Sequence, residues 1–274
     1  MTEVVLEREG RRFGADLGDP LSIAIPLDFD GAQPNHFGAP RAHAAALTHG
    51  RWIGEVLAGG SVNCAAVSMV PHCNGTHTEC VGHITEDRVA IHDVLRGGLQ
   101  LARVVTVTPQ RRSETSDQVD PSADPDEWVI TAQALGSALE RWPGRSTALV
   151  VRTLPNDLGK LNKRYEGPAP APYWTSEAAE RLVLDDIEHI VTDLPSLDRA
   201  QDAGRLLAHR IFWGLDAPSR RAGDARRAHC TITELAWIAP TIRDGWYLLD
   251  LQMPAFISDA APCRPLLYPL RPHD

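Results

Sequence analysis

The chain has 274 residues, 43% of them hydrophobic and 23% charged, and a net charge of −9. That is ordinary globular composition, with enough chain to bury a sizeable core. The acidic balance argues against a nucleic-acid partner, no stretch reaches the roughly 20 apolar residues of a membrane helix, and the polar start Met1–Arg12 lacks the apolar centre of a signal peptide. A cytoplasmic protein that meets neither nucleic acid nor membrane is expected. The five cysteines, Cys64, Cys73, Cys80, Cys230 and Cys263, are an odd number at irregular spacing, which is no disulfide framework.

In chain order, a short strand over Val4–Leu6 precedes an apolar run, Leu21–Leu27, that reads as a second strand. Asp28–Arg41 is rich in Gly, Pro, Asn and Asp and reads as a loop; it carries Asn35, His36 and Phe37. Gly60–Pro71, with Val62, Cys64, Ala66, Val67, Met69 and Val70, has the pattern of a buried strand leading into His72. Ile91–Leu95 is a short apolar piece, Gln100–Thr108 a strand, and Thr108–Trp128 a solvated loop. Thr131–Trp142 places Ala132, Leu135, Leu139 and Trp142 at helical spacing and closes at Pro143–Gly144. Thr147–Arg152 reads as a buried strand and Pro155–Pro172 as a second long loop. Thr175 or Ser176 caps a helix with acidic residues in its first turn. A strand over Ile187–Thr192, a helix over Gly204–Trp213, a solvated arginine-rich loop over Asp216–His229, an apolar run over Cys230–Ile238 and a strand over Trp246–Leu251 follow, before a proline-rich tail. Helices alternate with strands, several strands run close together, and no repeat or linker interrupts them. The fold class is therefore α/β or α+β, a single domain over residues 1–274 with a mixed sheet.

The chemistry concentrates between His72 and His83, His-Cys-Asn-Gly-Thr-His-Thr-Glu-Cys-Val-Gly-His. Imidazole nitrogen and carboxylate oxygen are ligands that zinc and manganese accept. His77 and Glu79 are two apart, which on an extended segment puts both on one face. Gly75 is expected to turn the backbone so that flanking side chains converge. Glu234, alone in an apolar run, needs a buried partner. Asp193 and Asp198, around Pro195–Ser196, read as turn residues. No Gly-x-Ser-x-Gly motif occurs, which argues against a serine nucleophile.

Gly75-Thr76-His77-x-Glu79-x-x-x-His83 resembles the signature His-x-Gly-Thr-His-x-Asp-x-Pro-x-His of the putative cyclase family, which includes bacterial kynurenine formamidase and isatin hydrolase. Downstream, Ala148–Arg152, Tyr173–Ala179 with His189–Asp198, and Thr231–Leu235 resemble further family blocks in the same order, over roughly Leu21 to Leu251. The resemblance implies a barrel-like β/β/α swivelling core with flanking helices. It also implies two divalent metals per chain, zinc or manganese, a small-molecule substrate and a homodimer. His77 would bind the first metal, Glu79 would replace the bridging aspartate, His209 would bind the second metal, and Glu234 would contact one or both. His83 would be the general acid/base.

The sequence departs from the signature in three places. The position of the first histidine holds Cys73, with His72 one residue earlier, so a bulge restores His72 as the first ligand, Cys73 supplies a thiolate, or the position is lost; His72 is favoured because imidazole suits a hydrolytic two-metal site. Glu79 is one methylene longer than aspartate, and Val81 stands where proline is usual.

The expected reaction is hydrolysis of a small amide or lactam, or a lactone or ester, by metal-activated water with His83 moving protons. The alternatives are a metal-assisted cyclase or lyase step in secondary metabolism, and a non-catalytic small-molecule binder on the same fold.

Overall fold

A computed structural model describes residues 3–8, 10–166 and 170–273. Its centre is one mixed sheet of nine strands: β1 (Leu21–Ser22), β2 (His77–Glu79), β3 (Leu99–Val107), β4 (Ala148–Thr153), β5 (His189–Thr192), β6 (Thr231–Glu234), β7 (Gly245–Asp250), β8 (Ala260–Pro262) and β9 (Leu266–Pro269), in the spatial order β8-β2-β6-β5-β4-β3-β7-β9-β1. The four central strands β6, β5, β4 and β3 are parallel, and both flanks are antiparallel. The mixed sheet with flanking helices matches the expected class, and its curl makes it a half-barrel.

Parallel strands need crossovers, and here α1 (Ala132–Glu140), α2 (Ser176–Leu184) and α3 (Leu207–Trp213) supply them. The expected cap of α2 is Thr175, whose hydroxyl accepts the Ala178 N–H at 3.1 Å. All three helices cover one face of the sheet. Val105, Leu149, Val151, Ile190 and Ile232 meet Leu135, Leu182, Ala208 and Phe212 there. The alternate residues Val104, Val150, Val191 and Leu249 pack on the other face with Ile23, Ile238 and Leu267. Because both faces are buried, the central strands read as continuous apolar runs.

Three expectations change. Leu21–Leu27 is a strand only at Leu21–Ser22, with one further bridge from Ala24 to Ala236; Pro26 has no N–H to extend the ladder. The expected buried strand in Gly60–Pro71 is Ala65–Ser68, which pairs with His43–Ala46 and is exposed at every residue. It belongs to an excursion outside the nine-stranded sheet, and no helix covers it. The proline-rich tail, given no elements from sequence, supplies β8 and β9, the former an edge of the sheet.

The loop Pro155–Pro172 is pinned by a buried ion pair. Lys160 Nζ sits 2.7 Å from Asp193 Oδ2, just past the end of β5. Residues 167–169 of that loop lie outside the described residues.

At Gly82, in the 3-10 turn Val81–Ile84, a Cβ would stand 2.3 Å from the backbone oxygen of Val89 and 3.2 Å from the Asp259 Cβ. Backbone cannot step aside cheaply, so Gly82→Ala should destabilise the fold by about 1–3 kcal/mol. A chemical denaturation curve with an unchanged midpoint would show that this contact is not tight.

Candidate metal centre

The site is built where β2 lies between β6 and β8. His77 pairs with Glu234 across the ladder, and Glu79 pairs with Ile232 on one side and Ala260 on the other. Residues directly opposite one another point to the same face, as do residues two apart. His77, Glu79 and Glu234 therefore share the face of Ile232, the helix-covered one. There α3 presents His209. The intervening Thr78 faces away and bonds Thr233 Oγ1 at 2.7 Å.

The turn before β2 is the single helical turn Pro71–Asn74. Gly75, expected to turn the chain, is fully extended (φ 177°, ψ −173°), and nothing crowds its Cβ position. Its function here is its carbonyl, which accepts His77 Nδ1–H at 3.0 Å. That fixes the tautomer and leaves Nε2 with its lone pair directed into the site. Thr76 anchors the segment, its hydroxyl accepting the Ile25 N–H at 2.8 Å and donating to the Leu235 carbonyl at 2.5 Å. Leu235, next to Glu234, has a left-handed backbone (φ 52°) while fully buried. Such a conformation costs about 1–3 kcal/mol and persists only where neighbours impose it; here Thr76 and the Leu194 carbonyl hold it.

Glu79 is the hub. Oε1 accepts from His209 Nε2 at 2.9 Å. Oε2 stands 3.4 Å from His72 Nε2 and 3.7 Å from His83 Nε2, with no hydrogen-bond partner. Glu234 Oε2 lies 3.6 Å from His77 Nε2, and its Oε1 accepts the Leu197 N–H at 2.9 Å. The structure thus brings His72, His77, Glu79, His83, His209 and Glu234 together. Cys73 is buried beside them but belongs to none of the three clusters of potential ligand atoms found among the described residues.

Two acids join the site that the sequence reading does not place there. Asp259, just before β8, puts Oδ2 3.2 Å from His72 Nε2 and 3.4 Å from His83 Nδ1. It sits in a tail with no recognisable motif, and only the pairing of β8 with β2 brings it in. Asp198 accepts from His209 Nδ1 at 2.6 Å and from the backbone N–H groups of Ala208 and His209, so it caps α3 and aims its histidine at once. Its turn position was legible, its grip on His209 was not. Asp193 instead holds Lys160.

The electrostatics follow from packing four imidazoles with four carboxylates. Burial favours neutral Glu79, yet the charges of His83, His209 and His72 outweigh it and bring its pKa to about 2. Burial likewise opposes charge on His209, but its hydrogen bonds to Asp198 and Glu79 hold it well above the usual imidazole value. His77 and His83 are raised in the same way, chiefly by Glu234 and Glu79 respectively, against burial. Cys73 goes the other way as a ligand: burial and Glu234 push its thiol up, away from thiolate.

Do these residues suit a metal ion? Three buried atoms here, His72 Nε2, His77 Nε2 and Glu79 Oε2, have no hydrogen-bond partner. Within each cluster the ligand atoms lie within 4.8 Å of one another, close to the ~4.4 Å that two ligands of one cation at ~2.2 Å can span. The nitrogen and carboxylate set is one that zinc and manganese accept. The residues fit.

A cavity of about 890 Å³ is lined by His36, Phe37, Arg111, Trp128, Tyr165 and Arg199, among others. Its inner wall is tied to the metal-side turn, the His36 N–H donating to the Cys73 carbonyl at 3.0 Å.

Known structures share this fold. A metal-dependent hydrolase, so predicted, from Bacillus stearothermophilus superposes with a TM-score of 0.56 at 16% identity, over 91% of this chain and 98% of the other. Isatin hydrolase A from Labrenzia aggregata gives 0.59 at 16% identity over 91% and 93%. A further cyclase structure gives 0.60 at 16% identity over 93% and 88%. No curated protein matches the sequence. Residues 16–199, more than half of the chain, match the family described as putative cyclase. The chain belongs to the putative cyclase family.

Proposed function

We propose that the chain is a divalent-metal-dependent hydrolase of a small amide or lactam, with lactones and esters as variants. The observation that carries this reading is the gathering of His72, His77, His83, His209 and Glu234 around Glu79, with Asp259 on His72 and His83 and Asp198 behind His209, and with three buried ligand atoms lacking a hydrogen-bond partner. The names of its structural neighbours, isatin hydrolase and metal-dependent hydrolase, accord with it.

Two cations, zinc or manganese, would share Glu79. His72, His77 and Glu234 on one side and His209 on the other would complete the donor set, with His72 in place of Cys73 because its Nε2 lies 3.4 Å from Glu79 Oε2, whereas the Cys73 thiol joins no ligand cluster and is held protonated by burial and Glu234. Such ions acidify a bound water and polarise a carbonyl. The protein's own part is proton handling. Asp259 holds His83 by Nδ1, which leaves Nε2 facing Glu79 and the reaction space. His83 Nε2 takes a proton as water oxygen bonds the carbonyl carbon, and returns it to the leaving nitrogen as the C–N bond breaks. Asp198 keeps His209 in register in the same manner.

The assignment separates by variant. His77→Ala should lose both metal and activity. His83→Ala should keep metal and lose turnover, and Asp259→Asn should lower kcat about 10–100-fold with metal retained. Metal should fall in His72→Ala and stay in Cys73→Ala; loss in the cysteine variant alone would reassign the first ligand. Full activity in His83→Ala would remove its acid/base role.

The pH dependence has a definite sign. The proposed ligands His77 and His209 are raised above the usual imidazole value of 6.5, and metal must displace their protons. Metal affinity should therefore be strongest at alkaline pH and already decline as pH falls through neutrality, with proton release on binding. Calorimetry in buffers of different ionisation enthalpy reads that release, and a pH-independent affinity between 6 and 8 would contradict it.

The expected homodimer finds support in the excursion of residues 42–68, where Leu47, Trp52, Val56, Leu57, Val62 and Val67 are exposed. Sedimentation should give twice the chain mass, and Leu57→Asp with Val67→Asp should shift it to monomer; a monomeric parent would end this part of the proposal. A cytoplasmic setting accords with five unpaired cysteines. No helix among the described residues is long and apolar enough to cross a membrane.

A further inference from the structure

His36 is used by nothing described so far. Its side chain is 3% exposed, and neither ring nitrogen has a hydrogen-bond partner. Leaving two polar atoms of one buried ring unpaired is costly, and such groups in native proteins mark a missing water or ligand. The ring lies on the wall of the 890 Å³ cavity, on the loop hydrogen-bonded to the metal-side turn at Cys73.

What lies against it is equally unusual. Phe37 packs on the His36 ring at 3.9 Å between centroids, is itself 66% exposed, and has a left-handed backbone (φ 56°). Tyr165 meets the same imidazole edge-on at 6.1 Å. The backbone around Phe37 is pinned: Asn35 N–H donates to the Lys163 carbonyl, Tyr165 N–H donates to the Asn35 carbonyl, and Gly38 N–H donates to Glu166 Oε1 at 2.7 Å. The pinning holds Phe37 in a backbone conformation that phenylalanine rarely adopts. It also leaves the side chain as the part free to move.

We propose that His36 is a substrate-positioning residue for the cavity and that the Phe37 ring is its movable cover. The inference rests on the hydrolase reading above for the identity of the substrate, not for the existence of the subsite. A neutral imidazole offers one donor and one acceptor. The two ring nitrogens point away from each other, so an uncharged planar group would use one of them, its carbonyl accepting the ring N–H or its own N–H donating to the bare nitrogen; an amide or lactam offers either and is flat enough to stack beside Phe37 and Tyr165. Burial holds the ring neutral, its pKa lowered to about 4.

The probe is oxindole, a flat bicyclic lactam, titrated calorimetrically into the metal-loaded protein. The parent should bind it. His36→Phe should weaken binding about tenfold, equivalent to ~1.4 kcal/mol, with metal content unchanged, and His36→Asn, which keeps a donor and an acceptor, should recover part of the loss. In the parent itself, oxindole should protect His36 from acylation by diethyl pyrocarbonate, read by peptide mass mapping, and Phe37→Ala should speed that acylation. No oxindole binding by the parent, equal affinity in His36→Phe, or no protection of His36 each overturns the proposal; a structural water would then be the partner of the ring. If oxindole binds through His36 but no amide, lactam or ester is turned over, the hydrolase reading fails and the subsite stands.

Discussion

One buried carboxylate holds the centre of this molecule together. Glu79 is fully buried, yet it stays charged, because three imidazoles surround its two oxygens. Removing any one of them leaves a buried anion less compensated, which is among the costliest changes a protein can suffer. Everything that supplies those imidazoles is therefore bound to the geometry of this strand. The helical turn Pro71–Asn74 carries His72, the 3-10 turn at Val81–Ile84 carries His83, and α3 carries His209.

The nine-stranded sheet makes that convergence possible by bringing distant segments into adjacent rungs. β2 is three residues long and by itself a weak element. Between β6 and β8 it gains ladders on both sides, and each ladder delivers an acid, Glu234 from one and Asp259 from the other. Helix α3 then brings in His209, which Asp198 from the loop before that helix holds by Nδ1. The cavity wall at the Asn35–Phe37 loop is tied to the helical turn Pro71–Asn74 by the His36 N–H to Cys73 carbonyl bond.

Much of the fold was legible in the sequence because the central strands and α1 and α2 satisfy local rules. Val104, Val105, Val150 and Val151 are buried on alternating faces of a doubly covered sheet, and Leu135 with Leu139 follows the helical period. His77 and Glu79 were legible from two-residue spacing. His209 and Glu234 were not separable from ordinary residues by local pattern; only the family resemblance pointed to them. Asp259 carried no local signal at all, since its place depends on an edge strand formed by a proline-rich tail. The exposed strand Ala65–Ser68 misleads for the opposite reason: apolar side chains suggest burial, but no layer among the described residues covers them. Gly75 misleads by its identity, being a glycine whose backbone is fully extended.

The proposed function has Glu79 join two cations to this histidine set. Anomalous diffraction from crystals grown with zinc, recorded on both sides of the zinc absorption edge, tests it directly. Two edge-dependent peaks are expected on opposite sides of the Glu79 carboxylate, one among His72, His77 and Glu234 and the other at His209. A single peak ligated by Cys73, or no peak within reach of Glu79, would contradict it.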